Sequence, residues 1–222
     1  MNKYFFVIIL ILLAAGAVFL AAKSNKNTAV NVTAPEASSP QGSESAKIPA
    51  TPTENILNIP LVNAAERITK KPFGIYITPQ NSPVQPERFR GFHTGTDFEI
   101  LPGEENSDVS VLAICDGKII YKNYVNGYGG VIIQSCTLIG ESATVLYGHI
   151  SLAESPVQIN TELKKGDRIA VLGQGFSQET NGERKHLHLG IHKGIAIELR
   201  GYVQSQNQLS AWLDFQKVFG LK

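Results

Sequence analysis

The residues best equipped for chemistry are five histidines, all between positions 93 and 192. Three of them fall within seven residues, His186-Leu-His-Leu-Gly-Ile-His192. Imidazole near neutral pH can bind a metal or move a proton, so spacing must decide which role is open to each ring. In a strand, successive side chains alternate between faces. His186, His188 and His192 then share one face, while Leu187, Leu189 and Ile191 share the other and point to a core. A helix would instead set His188 and His192 four apart on one metal, as in H-E-x-x-H. Leu189 stands where that arrangement needs glutamate, and Gly190 and Ile191 suit a helix interior poorly. The segment is therefore read as a strand. With a rise near 3.3 Å per residue, His186 and His188 lie roughly 7 Å apart, and His192 lies about 13 Å beyond His188. Zinc–nitrogen bonds are only about 2.0–2.1 Å long. The spacing thus allows His188 as a ligand with His186 beside it, and leaves His192 as a bystander whose replacement by alanine should keep metal and most activity.

Two further segments carry histidine. "GFHTGTDFEI" holds His93 and Asp97, a natural ligand pair for zinc. Fully extended, they would stand about 13 Å apart, so sharing one ion requires the backbone to turn between them. Gly95 permits such a turn, and Gly91 loosens the approach. "YGHIS" places His149 at the end of an apolar run, directly after Gly148.

The elements that must position these side chains are short. "GIYI", "DFEI", "VSVLAI", "GKIIYKN", "GGVIIQS", "ATVLYGHI", "DRIAVLG" and "HLHLGIH" alternate with turn residues. Such punctuation predicts an all-β domain of mostly antiparallel strands joined by hairpins. One short C-terminal helix is expected over "NQLSAWLDFQKVFG", capped by Ser210. Cys115 and Cys136 flank two β-branched runs joined by "YVNG", and a turn centred between Val125 and Asn126 would set them opposite each other as a candidate disulfide. Ahead of this domain, Tyr4 to Ala22 is an uncharged apolar run flanked by Lys3 and Lys23. Its length suits a membrane anchor, with a cleaved signal peptide as the alternative; either reading exports the rest of the chain. Residues 24–57 are rich in Ser, Thr, Ala and Pro and read as a flexible tether. The organisation is therefore 1–23 anchor or signal helix, 24–57 linker, 58–203 folded domain and 204–222 helical tail. The 222 residues carry a formal net charge of +1, which lacks the basic excess of a nucleic-acid binder.

Taken in order, His93-Thr-Gly-Thr-Asp97, Tyr147-Gly-His149 and His186-Leu-His188 resemble the signature of the lysostaphin-like (LytM-type) zinc endopeptidases of peptidoglycan. "KPFG", "AICDGKII", "GYGGVII" and "LKKGDRIAVLG" extend the likeness over roughly residues 71–193. The resemblance implies one Zn²⁺ held by His93, Asp97 and His188, with His149 and His186 as catalytic histidines. It also implies an antiparallel β fold and a peptidoglycan peptide as substrate. An exported domain on a tether, membrane-anchored or secreted, suits a target beyond the membrane.

The chain also departs from that pattern. The segment before H-x-H is short in the family, with Gly and Pro; here it is "GFSQETNGERK", longer and charged. Glu183, Arg184 and Lys185 are read as a solvated loop, with a loop wall or a site for a substrate carboxylate as the alternative. Glu99 lies on the strand face of Asp97 and is read as a plain exposed side chain, with support of that ligand as the alternative. The competing function is a non-catalytic relative that binds or regulates another wall hydrolase. Relatives of that kind typically lack ligands, whereas all five positions are filled here.

Overall fold

The computed structural model describes residues 59–221. The apolar run Tyr4–Ala22 and the whole of the tether lie outside them. Among the described residues no helix is long and apolar enough to cross a membrane.

Twelve short strands dominate: β1 (Tyr76–Ile77), β2 (Gly91–His93), β3 (Gly95–Glu99), β4 (Ser110–Leu112), β5 (Gly117–Val125), β6 (Gly129–Leu138), β7 (Glu141–Gly148), β8 (Glu162–Leu163), β9 (Arg168–Val171), β10 (His186–Lys193), β11 (Tyr202–Val203) and β12 (Trp212–Leu213). Every strand pair is antiparallel, as the hairpin punctuation predicts. The main sheet runs β12-β10-β7-β6-β5-β8, and β3 also pairs with β10. β10 is thus flanked by β7 on one edge, and by β3 and then β12 on the other. A small sheet, β1-β2-β11, lies alongside in sequence order, and β4 pairs with β9.

The parity of β10 is the one the sequence implies. Leu187, Leu189 and Ile191 are buried in the main core with Val145, Tyr147 and Ile132 of the neighbouring strands and Phe98 of β3. Each such aliphatic side chain contributes about 1.5–3 kcal/mol when withdrawn from water. Slipping β10 by one residue would send its leucines to the histidine face, so burial fixes which way the histidines point.

Two expectations need correction. The C-terminal segment holds two short helices, α1 (Gln206–Leu209) and α2 (Phe215–Phe219), with β12 between them. Ser205 caps α1 and Asp214 caps α2, while Ser210 sits at the far end of α1. Trp212 and Leu213 pair with His192 and Ile191, so this segment completes the main sheet instead of forming a helical tail. The β5–β6 hairpin also has a different register. Val125 pairs with Gly129, which leaves Asn126, Gly127 and Tyr128 in the turn, and the register shifts again between Ile119 and Tyr121. Gly117, not Cys115, stands opposite Cys136. Cys115 lies just before β5, and the two cysteines are joined all the same, with Cα atoms 6.1 Å apart.

Candidate active site

The first ligand pair is built by a change of sheet. β2 belongs to the small sheet and β3 pairs with β10, so the chain crosses from one to the other at Thr94. Thr94 is pinned there: its N–H donates to the Gly201 carbonyl at 3.0 Å and its hydroxyl to the Arg200 carbonyl at 2.7 Å. This crossing brings His93 and Asp97 together, with Nε2 and Oδ1 3.2 Å apart. Gly95 has a different role from the one expected of it. A Cβ there would lie 2.5 Å from His188 Nε2 and 2.7 Å from the Leu189 carbonyl oxygen, so the glycine lets the His188 ring lie against the β3 backbone.

His188 reaches the same point from β10, where it pairs with Asp97 across the strands. Its Nδ1 lies 3.0 Å from His93 Nε2 and 3.1 Å from Asp97 Oδ1. The outer nitrogens have their own partners. His93 Nδ1 lies 3.2 Å from the Pro72 carbonyl, and His188 Nε2 lies 3.3 Å from the Tyr128 hydroxyl. A carbonyl can only accept, so His93 carries its proton on Nδ1 and turns its Nε2 lone pair toward Asp97 and His188. His188 carries its proton either on Nδ1, donating to Asp97, or on Nε2, donating to Tyr128; in the second form three lone pairs face one another in a buried space. Such a cluster repels itself unless a cation or a proton sits among them. The three ligand atoms lie within 4.8 Å of one another and all three residues are buried, so the donor set fits a metal ion of zinc's preference.

Charges around the cluster are arranged to match. Burial alone would raise the Asp97 carboxyl, but His93, His186 and the hydrogen bonds from His186 and His188 hold it well below the usual carboxylate range. Burial brings His188 down to about 4, against the opposing pull of Asp97. A neutral ring and an ionised carboxylate are the forms that bind metal. Oδ2 of Asp97, facing away from the cluster, accepts from Arg184 Nη2 at 3.0 Å. Arg184 Nε in turn donates to both Glu99 oxygens, at 3.0 and 2.9 Å.

His149 and His186 lie beside this cluster, ring centroids 4.3 Å apart. His149 follows β7 with φ of 62°, a backbone conformation uncommon for a residue other than glycine. That turn directs its ring into the cavity; its Nδ1 is buried with no hydrogen-bond partner. Burial, reinforced by the charges of His186 and His188, keeps it well below the ordinary imidazole range. His186 is differently served: Nδ1 donates to the Arg184 carbonyl at 2.8 Å, and Nε2 faces Asp97 Oδ2 at 3.3 Å. A cavity of about 250 Å³ opens over these groups, lined also by Lys71, Phe89, Tyr128 and Tyr202.

Residues 91–202 match the model of peptidase family M23. The chain belongs to that family.

No curated protein matches the chain. Among solved structures, the chain is similar to one described as the crystal structure of cbpa from L. salivarius REN, at 18% identity over 76% of this chain and 100% of that one, TM-score 0.47. It is similar to LytU at 26% identity over 68% of this chain and 82% of that one, TM-score 0.45. It is also similar to lysostaphin, in a solution structure, at 25% identity over 54% of this chain and 44% of that one, TM-score 0.38.

Within this M23 domain the structure brings together all five histidine and aspartate positions singled out by the motifs, and it leaves His192 apart. His192 packs edge-on against Trp212, ring centroids 4.8 Å apart, at the β12 end of β10. The charged segment before His186 is not the solvated loop expected. Lys185 is buried and donates to the carbonyls of Glu104, Glu105 and Ser107. Glu99 is buried, not exposed as expected, and it reaches Asp97 through Arg184, which pairs with both. Glu183 accepts from Arg88 Nη2 at 2.6 Å. Tyr128, Tyr202 and Lys71 escaped the motif reading. Tyr128 had one signal, its place in the glycine-rich "NGYGG", where a large ring between glycines has reason to be held. Lys71 had only its place at the head of "KPFG"; its buried pairing with Glu87, at 2.5 Å, depends on folding.

Proposed function

We propose that the chain is a zinc-dependent endopeptidase that hydrolyses cross-links or stem peptides of bacterial peptidoglycan. The observation that carries this reading is the convergence of His93 Nε2, Asp97 Oδ1 and His188 Nδ1, with their outer nitrogens already partnered, beside two further histidines in one cavity. Those three atoms would hold the ion. Zinc, when bound, would polarise the scissile carbonyl and lower the pKa of its water toward about 7.

The chain's own groups divide the proton work. His149, neutral and with an unpartnered Nδ1, is placed to orient the water or to take its proton. His186 faces two acceptor oxygens, the Arg184 carbonyl from Nδ1 and Asp97 Oδ2 from Nε2. It is suited to donate to the leaving amine or to steady the developing oxyanion. Tyr128 can accept from His188 Nε2–H, which would leave Nδ1 free for the ion, a role that partners of metal-binding histidines commonly fill. The reading extends to location: the run Tyr4–Ala22 would anchor the enzyme, and the 24–57 segment would let the domain reach the wall.

The test is direct. In the full-length protein, His188→Ala should lose zinc and activity together, whereas His149→Ala should keep most zinc and lose wall hydrolysis. A wild-type protein that binds one zinc and cuts no wall preparation would overturn the proposal in favour of a binding or regulatory relative.

A further inference from the structure

The loop between β9 and β10 presents Phe176 in an unusual way. The side chain is 79% exposed, and its backbone φ is 59°. An aromatic residue in that conformation costs of order 1–3 kcal/mol, and an exposed ring forgoes about 1.5–3 kcal/mol of burial. The loop is nonetheless held tightly. Phe176 N–H donates to the Glu183 carbonyl at 2.7 Å. The Thr180 hydroxyl lies within reach of three loop carbonyls, the nearest, that of Glu183, at 2.8 Å. The Glu179 carboxylate accepts from Gln174 N–H and from the Ser151 hydroxyl. A braced loop that displays a strained, exposed ring points to a contact made outside the chain.

The ring borders a groove of about 470 Å³ whose lining includes Lys70, Pro83, Pro86 and Arg88. Glu183 and Arg184 line both this groove and the catalytic cavity, so the two lie side by side. Volumes of about 300–1,000 Å³ suit a small ligand or one unit of a polymer. We propose that this groove is a saccharide subsite, with Phe176 stacking on the apolar C–H face of a hexosamine in the glycan that carries the wall peptide. This rests on the peptidoglycan reading above.

Two features favour sugar over peptide as the occupant. An extended peptide binds by adding to free backbone N–H and C=O groups. Here Pro83 and Pro86 have no N–H. The N–H groups of Val84, Arg88, Phe176, Gly182 and Glu183 are all committed within the chain. What the groove does offer is an aromatic face and side-chain donors. Lys70 is 44% exposed and only loosely paired, 3.5 Å from Glu99; half-exposed Arg88 has donors beyond its pair with Glu183. A ring face with flanking donors matches a sugar, which has apolar faces and hydroxyl edges.

The experiment compares two substrates with the full-length protein: disaccharide-bearing cross-linked wall fragments, and the same cross-linked peptides after enzymatic removal of the sugar. Wild type should show kcat/KM about tenfold higher on the sugar-bearing form. Phe176→Ala should abolish that preference while leaving the sugar-free rate within twofold, and Phe176→Tyr should retain it. Equal wild-type rates on both substrates, or an equal loss on both in Phe176→Ala, would overturn the subsite and leave the peptidase reading standing. If wild type cuts neither substrate, the peptidase reading fails. The subsite is then decided by titrating a peptide-free wall tetrasaccharide: binding lost in Phe176→Ala supports it, and no difference overturns it.

Discussion

Gly95→Ala should damage the metal site, and Gly190→Ala should not, although the two glycines face each other across β3 and β10. At Gly95 an added Cβ would lie 2.5 and 2.6 Å from two atoms of the His188 ring and 2.7 Å from the Leu189 carbonyl oxygen. The ring cannot swing freely, because Nδ1 meets His93 and Asp97 while Nε2 meets Tyr128. The carbonyl belongs to the strand backbone. Relief therefore requires moving His188 or parting two strands, at a cost of about 1–3 kcal/mol for overpacking. At about 2–4 °C per kcal/mol for a domain of this size, the metal-free protein should melt several degrees lower. Zinc affinity should fall more sharply. Disturbing a ligand's supporting partner typically costs 10–100-fold, and displacing the ligand itself should reach the upper part of that range. At Gly190 the same Cβ meets only His188 Nε2 at 3.6 Å and Leu146 Cβ at 3.8 Å, ordinary contacts. Gly190→Ala should be neutral or slightly stabilising through the unfolded chain. Thermal melting of the metal-free proteins and competition against a chromogenic chelator measure both quantities. Wild-type zinc affinity in Gly95→Ala, or equal harm from Gly190→Ala, would refute the steric account.

Other substitutions probe the surrounding groups. Tyr128→Phe should weaken zinc binding about tenfold, read by chelator competition, because His188 Nε2 loses its partner. Arg184→Met leaves the buried Asp97 and Glu99 without their shared cation and should destabilise the protein by about 3–5 kcal/mol in urea unfolding; adding Glu99→Gln should restore part of that loss. Burial would raise the Glu87 carboxyl, but hydrogen bonds from Lys71, Phe89 and Ser82 hold it below its ordinary value. Its contribution is therefore present above the unfolded pKa near 4.3 and is lost as pH falls through the folded value, so Glu87→Gln should flatten the acid limb of the stability curve. His192→Ala should keep wild-type zinc content and most wall-hydrolysing activity, since its ring contacts Trp212 and lies away from the ligands.

The face of β10 could be read from the sequence because a strand's side-chain period is two, and three apolar residues alternate with three histidines without interruption. The meeting of His93 with Asp97 was visible as a motif, but its cause was not. The turn arises from a change of sheet at Thr94, anchored by carbonyls more than a hundred residues away. The cysteine pairing came out as expected from a register that was wrong. A glycine-rich turn uses three residues, with φ of 90° at Gly127 and 77° at Gly129, and the shift near Ile119 adds another offset. Local hydrophobic pattern carries no record of either.

The segment between β9 and β10 is where sequence reasoning fell furthest short, for a physical reason. A run such as Glu183-Arg184-Lys185 looks solvated because charges are costly to bury alone. Each of these three has a partner about 80–95 residues earlier in the chain: Arg88 for Glu183, Glu99 for Arg184, and the carbonyls of 104–107 for Lys185. Once those partners are in place, burial is tolerated, and the charges become the braces of the loop. Arg184 fixes the outer oxygen of Asp97 through Nη2 and the ring of His186 through its own carbonyl. The residues that hold this loop to the domain therefore also orient Asp97, a proposed metal ligand, and His186, a proposed catalytic histidine. The extra length ahead of His186 adds a braced display of Phe176 without loosening the site, because the loop's anchor and the site's supporting groups are the same side chains.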